Sequence, residues 1–228
     1  MSTISQTASW LGDSANWNGD NGVTRRLIEH LTVTAASVGI ACALALPIGV
    51  WLGHVGRGRI LAVGGSAVER AVPAFAVLVL LAVGPLGFGN TAATVALTLI
   101  AVPPLLSTAY IGVRDVDRAV TQAAVGMGMS GGQVVRQVEL PLAAPLLLVG
   151  LRTAAARVIA TATIAALVGG GGLGRLVLDG LAHHDDAQAV GGTVLVVALA
   201  LIVQGLLLCL GRLVTPAGCG PSRLHPRW

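Results

Sequence analysis

Five stretches of the chain are long and apolar enough to cross a lipid bilayer, and they leave little sequence for anything else. They are Leu31–Gly53, Ile60–Val83, Thr91–Gly112, Leu142–Val168 and Ala189–Leu210. A helix needs about 20 mostly apolar residues to span the hydrocarbon core. Lipid offers no partner to a free N–H or C=O, so a span is either a helix or a strand of a closed barrel. The runs are rich in Ala and Leu and lack the alternation of barrel strands. Of the 228 residues, 54% are hydrophobic and 11% are charged, whereas soluble chains carry about 25% charged residues. A disordered chain, a disulfide scaffold and an ordinary soluble enzyme are excluded. The expectation is an all-α integral membrane protein with five transmembrane helices.

All fourteen basic residues are arginine. Arginines collect on the cytoplasmic side of membrane proteins. With the N-terminus outside, that side receives nine: Arg57, Arg59, Arg70, Arg114, Arg118, Arg136, Arg212, Arg223 and Arg227. The outer side receives three, Arg25, Arg26 and Arg175, the first two weighing the other way from just before the first span. The count favours a multi-pass protein of a bacterial inner membrane, N-terminus outside and C-terminus cytoplasmic. It also explains the net charge of +4 without a nucleic-acid partner. Aromatic residues, at 3%, offer no stacking platform for single strands. Cys42, Cys209 and Cys219 lack metal-ligand spacing. Residues 1–23 form a polar N-terminal segment without the pattern of a signal peptide.

Small residues within the spans, such as Ala35-Ala36-Ser37 and Ala154-Ala155-Ala156, let helices approach closely in lipid. Pro73 and the pair Pro103-Pro104 leave backbone groups without donors, tolerated where a helix faces protein or water. Two readings stay open for them: a translocation pathway with its gates, or plain packing kinks. Arg152 lies near the cytoplasmic end of the fourth span and can snorkel. Arg157 lies nearer the middle, where a charge is costly and marks function by default. It either lines a pathway or pairs with an acid such as Glu69.

The longest connection on the cytoplasmic side runs over residues 113–141. Val120 to Val125 is expected to form a short helix, and the glycines at 126, 128, 131 and 132 to open a turn. Gln133 to Glu139 resumes helical spacing, with Pro141 as its end. Ala123, Ala124 and Gly128 are expected to give one face of little bulk, suited to close contact with another protein.

The intervals in that connection are specific. Gln122-Ala123-Ala124, then Gly128, then Val138-x-Leu140-Pro141 resembles the EAA loop of ABC importer permeases. There the pattern is Glu-Ala-Ala, three residues, Gly, nine residues, Ile, one residue, Leu-Pro. Gln122 replaces the Glu and Val138 replaces the Ile. The resemblance extends from about Thr24 to Val214 and is closest to the branch importing osmoprotectants. It rests on Glu29-His30-Leu31 with Thr34, Leu46-Pro47-Ile48-Gly49, Glu69-Arg70-Ala71-Val72-Pro73, Gly150-Leu151-Arg152-Thr153-Ala154, and Leu167-Val168 followed by a glycine-rich run to Gly174. Arg157 departs from the apolar residue usual in that branch.

The resemblance implies a type I ABC importer permease (MetI-like) fold. The permease domain would cover 24–214, its coupling loop 113–141, and a tail 215–228. It implies that ABC ATPase subunits dock on Gln122, Ala123, Ala124, Gly128, Val138, Leu140 and Pro141. It further implies an extracytoplasmic solute-binding protein, and a second permease subunit, identical or a related paralogue, with the pair embedded in membrane lipid. The cargo implied is a quaternary amine: glycine betaine, choline or carnitine. Against a cationic cargo a pathway arginine repels, so pairing of Arg157 with Glu69 is the better expectation. No aromatic cage for such a cation is apparent. No cofactor is expected.

Gly169-x-Gly171-x-x-Gly174 matches a dinucleotide fingerprint only on paper, because it follows a span rather than a strand; a tight turn is expected. With no lysine there is no P-loop, so ATP hydrolysis belongs to another polypeptide. Two rivals remain. One is a permease for methionine or another small solute. The other is a membrane-embedded metal-dependent hydrolase built on His183, His184, Asp185 and Asp186. Adjacent side chains rarely converge on one ion, which favours a solvated loop, and no metal is expected.

Overall fold

The computed structural model of the chain describes residues 3–62, 64–65 and 72–214. The helices of interest are α1 (Thr3–Gly12), α2 (Val23–Val55), α3 (Ala74–Val83), α4 (Asn90–Arg114), α5 (Arg118–Gly126), α6 (Gly131–Val168), α7 (Gly174–Ala182) and α8 (Asp186–Val214). Among the described residues, α2, α4, α6 and α8 are long and apolar enough to cross a membrane. Of the run Ile60–Val83, the latter part is α3, with Pro73 as its N-cap. Glu69 and Arg70 lie outside the described residues.

The centre of the bundle is where α2, α4 and α6 cross. Their shared core takes Ala41 and Ala45 from α2, Leu97, Ala101 and Leu105 from α4, and Ala154, Val158 and Ala162 from α6. On each helix these residues recur every fourth position, which places them on one face. In lipid the apolar effect does not drive helices together, so close packing must. Ala41, Ala45, Gly49 and Gly53 form the contact stripe of α2. A Cβ built on Gly49 would lie 2.6 Å from the Ala109 Cβ, and one on Gly150 would lie 1.9 Å from Thr108 Oγ1. These glycines set how near the backbones come. The expected small-residue runs act likewise: Ser37 and Ala154 are fully buried, and the Ser37 hydroxyl donates to the Thr94 carbonyl at 3.2 Å.

The polar start of the chain is more structured than its composition suggests. Helix α1 packs on α8, with Trp10 against Gly191, where a Cβ would lie 2.7 Å from the indole. Trp17 Nε1 donates to the Leu11 carbonyl at 2.8 Å. By contrast, only 6% of the apolar window of α8 is buried.

Two expectations are corrected. Pro141 does not end a helix. The chain passes from Gly131–Val134 through a π turn, Val135–Glu139, into Leu140–Ala165 without a break. Proline lacks the N–H that would bond the Gln137 carbonyl, and its ring crowds that carbonyl. The wider turn, in which the Leu140 N–H reaches back to Val135 O, makes room for it. The first span likewise begins earlier than Leu31, so that Arg25, Arg26 and Glu29 lie on α2 itself. Their mutual pairing accounts for helix in a charged stretch. Pro103 and Pro104 sit inside α4, which runs unbroken from Asn90 to Arg114.

Candidate functional site

The connection between α4 and α6 is a rigid, capped structure. Asp115 closes α4, its N–H reaching the Ile111 carbonyl at 2.9 Å. Asp117 then caps α5, its carboxylate accepting from the Ala119 N–H at 2.8 Å. A carboxylate here satisfies a free donor and faces the positive end of the helix. Helix α5 stops where Met127 and Met129 return hydrogen bonds to Ala123 and Ala124. Gly128 follows with φ +87, a conformation that side-chain-bearing residues adopt at a cost. A capping box opens α6: the Ser130 N–H donates to Gln133 Oε1 at 2.7 Å, and the Ser130 hydroxyl takes the Gln133 N–H.

Burial sorts the expected docking residues. Ala124 is 2% exposed and anchors α5 to the bundle, whereas Ala123 and Gly128 are exposed. The three therefore do not share a face, contrary to the sequence expectation. A nine-residue helix resting on a bundle must bury one side, and Ala124 is on that side. The outward crest comprises Gln122, Ala123, Val125, Met127 and Gly128, with Met127 78% exposed. Val138 and Leu140 are half-buried at the foot of α6, and Pro141 is exposed.

Two residues absent from the sequence expectation tie this connection to α2. His54, on the last turn of α2, places Nδ1 3.0 and 2.9 Å from the two carboxylate oxygens of Glu139. Glu139 is 6% exposed. A cleft of about 400 Å³ beside the pair is lined by Thr121, Gln122, Val125 and Val134 as well as by both partners. Gln122 thus stands at a cleft that already holds a carboxylate. A glutamate there would set like charges together, and the amide avoids this while keeping hydrogen-bonding capacity. The one available signal was a His and a Glu placed at the ends of apolar runs.

The opposite end of the bundle holds the glycine-rich turn. Glu29 Oε2 accepts from the Gly172 N–H at 3.0 Å and from Arg26 Nη1 at 3.0 Å, while Asn90 Oδ1 accepts from the Gly171 N–H at 2.7 Å. Gly172 has φ +95, and a Cβ on it would meet His30 at 3.0 Å. The segment is a turn clamped onto α2 and α4. His183 and Asp185 belong to local structure. His183 Nδ1 donates to the Asp179 carbonyl at 2.7 Å, and Asp185 caps α8 by accepting from the Gln188 N–H at 3.0 Å. Among the described residues no three His, Cys, Asp or Glu side chains group as metal ligands would. Arg157 is half-buried in α6, and Glu69, its expected partner, is outside the described residues.

Known proteins are similar to this chain in sequence and in architecture. The profile described as "Binding-protein-dependent transport system inner membrane component" matches residues 45–215. The choline transport system permease protein OpuBB of Bacillus subtilis (strain 168) is 36% identical over 190 residues, covering 83% of this chain and 87% of that protein. The osmoprotectant import permease protein OsmY of Salmonella typhimurium is 33% identical over 195 residues, covering 82% and 80%. A chain of the MetNI methionine ABC transporter, in an inward-facing conformation, superposes with a TM-score of 0.73 at 27% identity, covering 84% of this chain and 95% of that one. The chain is thus a multi-pass inner-membrane permease subunit and not a catalytic one. It belongs to the family of binding-protein-dependent transport system inner membrane components.

Proposed function

We propose that this chain is the permease subunit of an ATP-driven importer of quaternary-amine osmoprotectants: glycine betaine, choline or carnitine. The observation that carries the cargo is the set of curated relatives at 33–36% identity, named for choline, carnitine or osmoprotectant transport. Two such subunits, identical or paralogous, enclose the pathway. An extracytoplasmic solute-binding protein delivers the cargo near the glycine turn. ATPase subunits dock on the crest of α5, with the N-terminus outside and the C-terminus cytoplasmic.

The geometry supports a direct mechanical role for the connection. Helix α5 is capped at both ends, anchored by Ala124, continuous with α6 and tied to α2 through His54 and Glu139. A displacement of α5 by an ATPase would move α2, α4 and α6 together instead of being absorbed in a slack loop. The closed and open bundles are then two packings between which ATP binding and hydrolysis choose. Pro73, Pro103, Pro104 and Arg157 are assigned to the pathway and its gates. A permease domain of 24–214 with its coupling loop at 113–141 fits this division of labour.

The likeness to the methionine transporter favours one second reading, an importer of methionine or a similar solute. Uptake into vesicles holding the permease, its ATPase and its receptor separates the two. Betaine, choline or carnitine should accumulate on ATP addition and be unaffected by excess methionine. Accumulation of methionine alone would overturn the assignment of cargo.

A further inference from the structure

We propose that the groove between α6 and α8 binds the headgroup of an anionic phospholipid, in the leaflet on the side of the α5 connection. The groove has a volume of about 520 Å³, within the range of about 300–1,000 Å³ typical of ligand sites. Two guanidinium groups, Arg152 and Arg212, line it together with Leu148, Val149, Leu207 and Leu208. Val149 is 48% and Leu208 43% exposed, so the apolar wall faces outward.

The helices run antiparallel here. A Cβ on Gly211 would lie 3.9 Å from Leu148 Cδ1, while one turn further along α6 Arg152 meets Gln204, earlier on α8. Side chains of a helix lean toward its N-terminus. Arg152 therefore leans toward the α5 side of the membrane, where α8 ends in Arg212. The Arg152 Nε donates to Gln204 Oε1 at 3.3 Å, and Gln204 Nε2 donates to the Arg152 carbonyl at 3.0 Å. This exchange holds the guanidinium in place, but glutamine carries no charge and does not neutralise it.

No carboxylate among the described residues does so either. The sequence has no Asp or Glu from Leu140 to Leu178, nor from Ala187 to the last residue. The ion pairs of Arg25 and Arg26 are with Asp20 and Glu29, at the far end of the bundle from this groove. Of a second copy of the chain, α2 beyond Glu29, α4, α6 beyond Glu139 and α8 beyond Asp186 would bring no carboxylate, since they contain none. Two cations with no carboxylate partner among the described residues, beside apolar walls at the edge of a span, are complementary to a lipid phosphate. Its oxygens accept forked hydrogen bonds from arginine, and its acyl chains would lie along Leu207 and Leu208. Basic pockets between spans serve such headgroups in general.

Native mass spectrometry of the purified importer complex, in mixed phosphatidylglycerol and phosphatidylcholine, tests this. The wild type should retain phosphatidylglycerol in preference. Arg212→Gln should weaken that preference about fivefold, the counterpart of about 1 kcal/mol per basic residue near an anionic surface. Leu207→Trp, which fills the groove and leaves both arginines, should weaken it as well and guards against misfolding of the charge variant. Equal retention of both lipids, or retention unchanged in both variants, would overturn the proposal. So would displacement of the lipid by inorganic phosphate alone. So would a disulfide between two copies carrying Leu208→Cys in a background with Cys42, Cys209 and Cys219 all changed to Ser, because a protein neighbour would then occupy the groove.

Discussion

His54 and Glu139 stand 85 positions apart in the sequence and 2.9 Å apart in space. Glu139 is too buried to be solvated well, and a buried acceptor stripped of its partner costs about 1–3 kcal/mol. His54→Ala should therefore lower the stability of the purified protein by that order, measured by unfolding in detergent. The double variant His54→Ala, Glu139→Gln should lose less than the sum of the two single changes, because each removes the same contact. A strictly additive result would show that the pair contributes nothing. Gly128 offers a different test. Open space surrounds it, but φ is +87. Gly128→Trp should pay about 1–2 kcal/mol in backbone strain, leave membrane insertion intact and reduce ATP-driven uptake strongly. Unchanged uptake would remove Gly128 from the docking surface.

At the scale of elements, the crossing of α2 with α4 depends on backbones in near contact. Gly49→Leu would drive a side chain into Ala109 and the Leu106 carbonyl, both within 3 Å of the added Cβ. Overpacking of this kind costs about 1–3 kcal/mol or more. Yield and thermal midpoint should both fall, whereas Gly39→Leu, with open space around it, should be tolerated. The glycine turn is held by Glu29 and Asn90. Glu29→Ala should speed amide hydrogen exchange in the peptide containing Gly171 and Gly172, while α8 exchanges as before. An unchanged rate would mean that the clamp does not hold the turn.

Across the whole molecule, what the sequence revealed and what it hid have separate physical origins. The long helices were legible because a span must be apolar over its whole length, and α4 and α8 begin within a few residues of the expected runs. The beginning of α2 was not, since Arg25, Arg26 and Glu29 look like loop residues until they pair with one another. Pro141 looked like a terminator, and only the π turn before it shows how the helix continues. The intervals from Gln122 to Pro141 could be read off the chain, because spacing within one connection is local. That Ala124 turns inward while Ala123 turns outward depends on which side of α5 the bundle covers. The pairing of His54 with Glu139 depends on where α2 ends relative to α6, and no local pattern contains it.

The central claim is that the outward crest of α5 receives the ATPase. Ala123 is the cleanest place to test it, being exposed, helical and free of the backbone strain that a side chain at position 128 would bring. Ala123→Trp should insert and unfold like the wild type. The measurement is the amount of ATPase retained on the permease after purification, read alongside ATP-driven uptake in vesicles. Docking on this crest predicts that both fall together by more than about tenfold, the counterpart of about 1.4 kcal/mol. Retention of the ATPase at the wild-type level, with uptake intact, would contradict it.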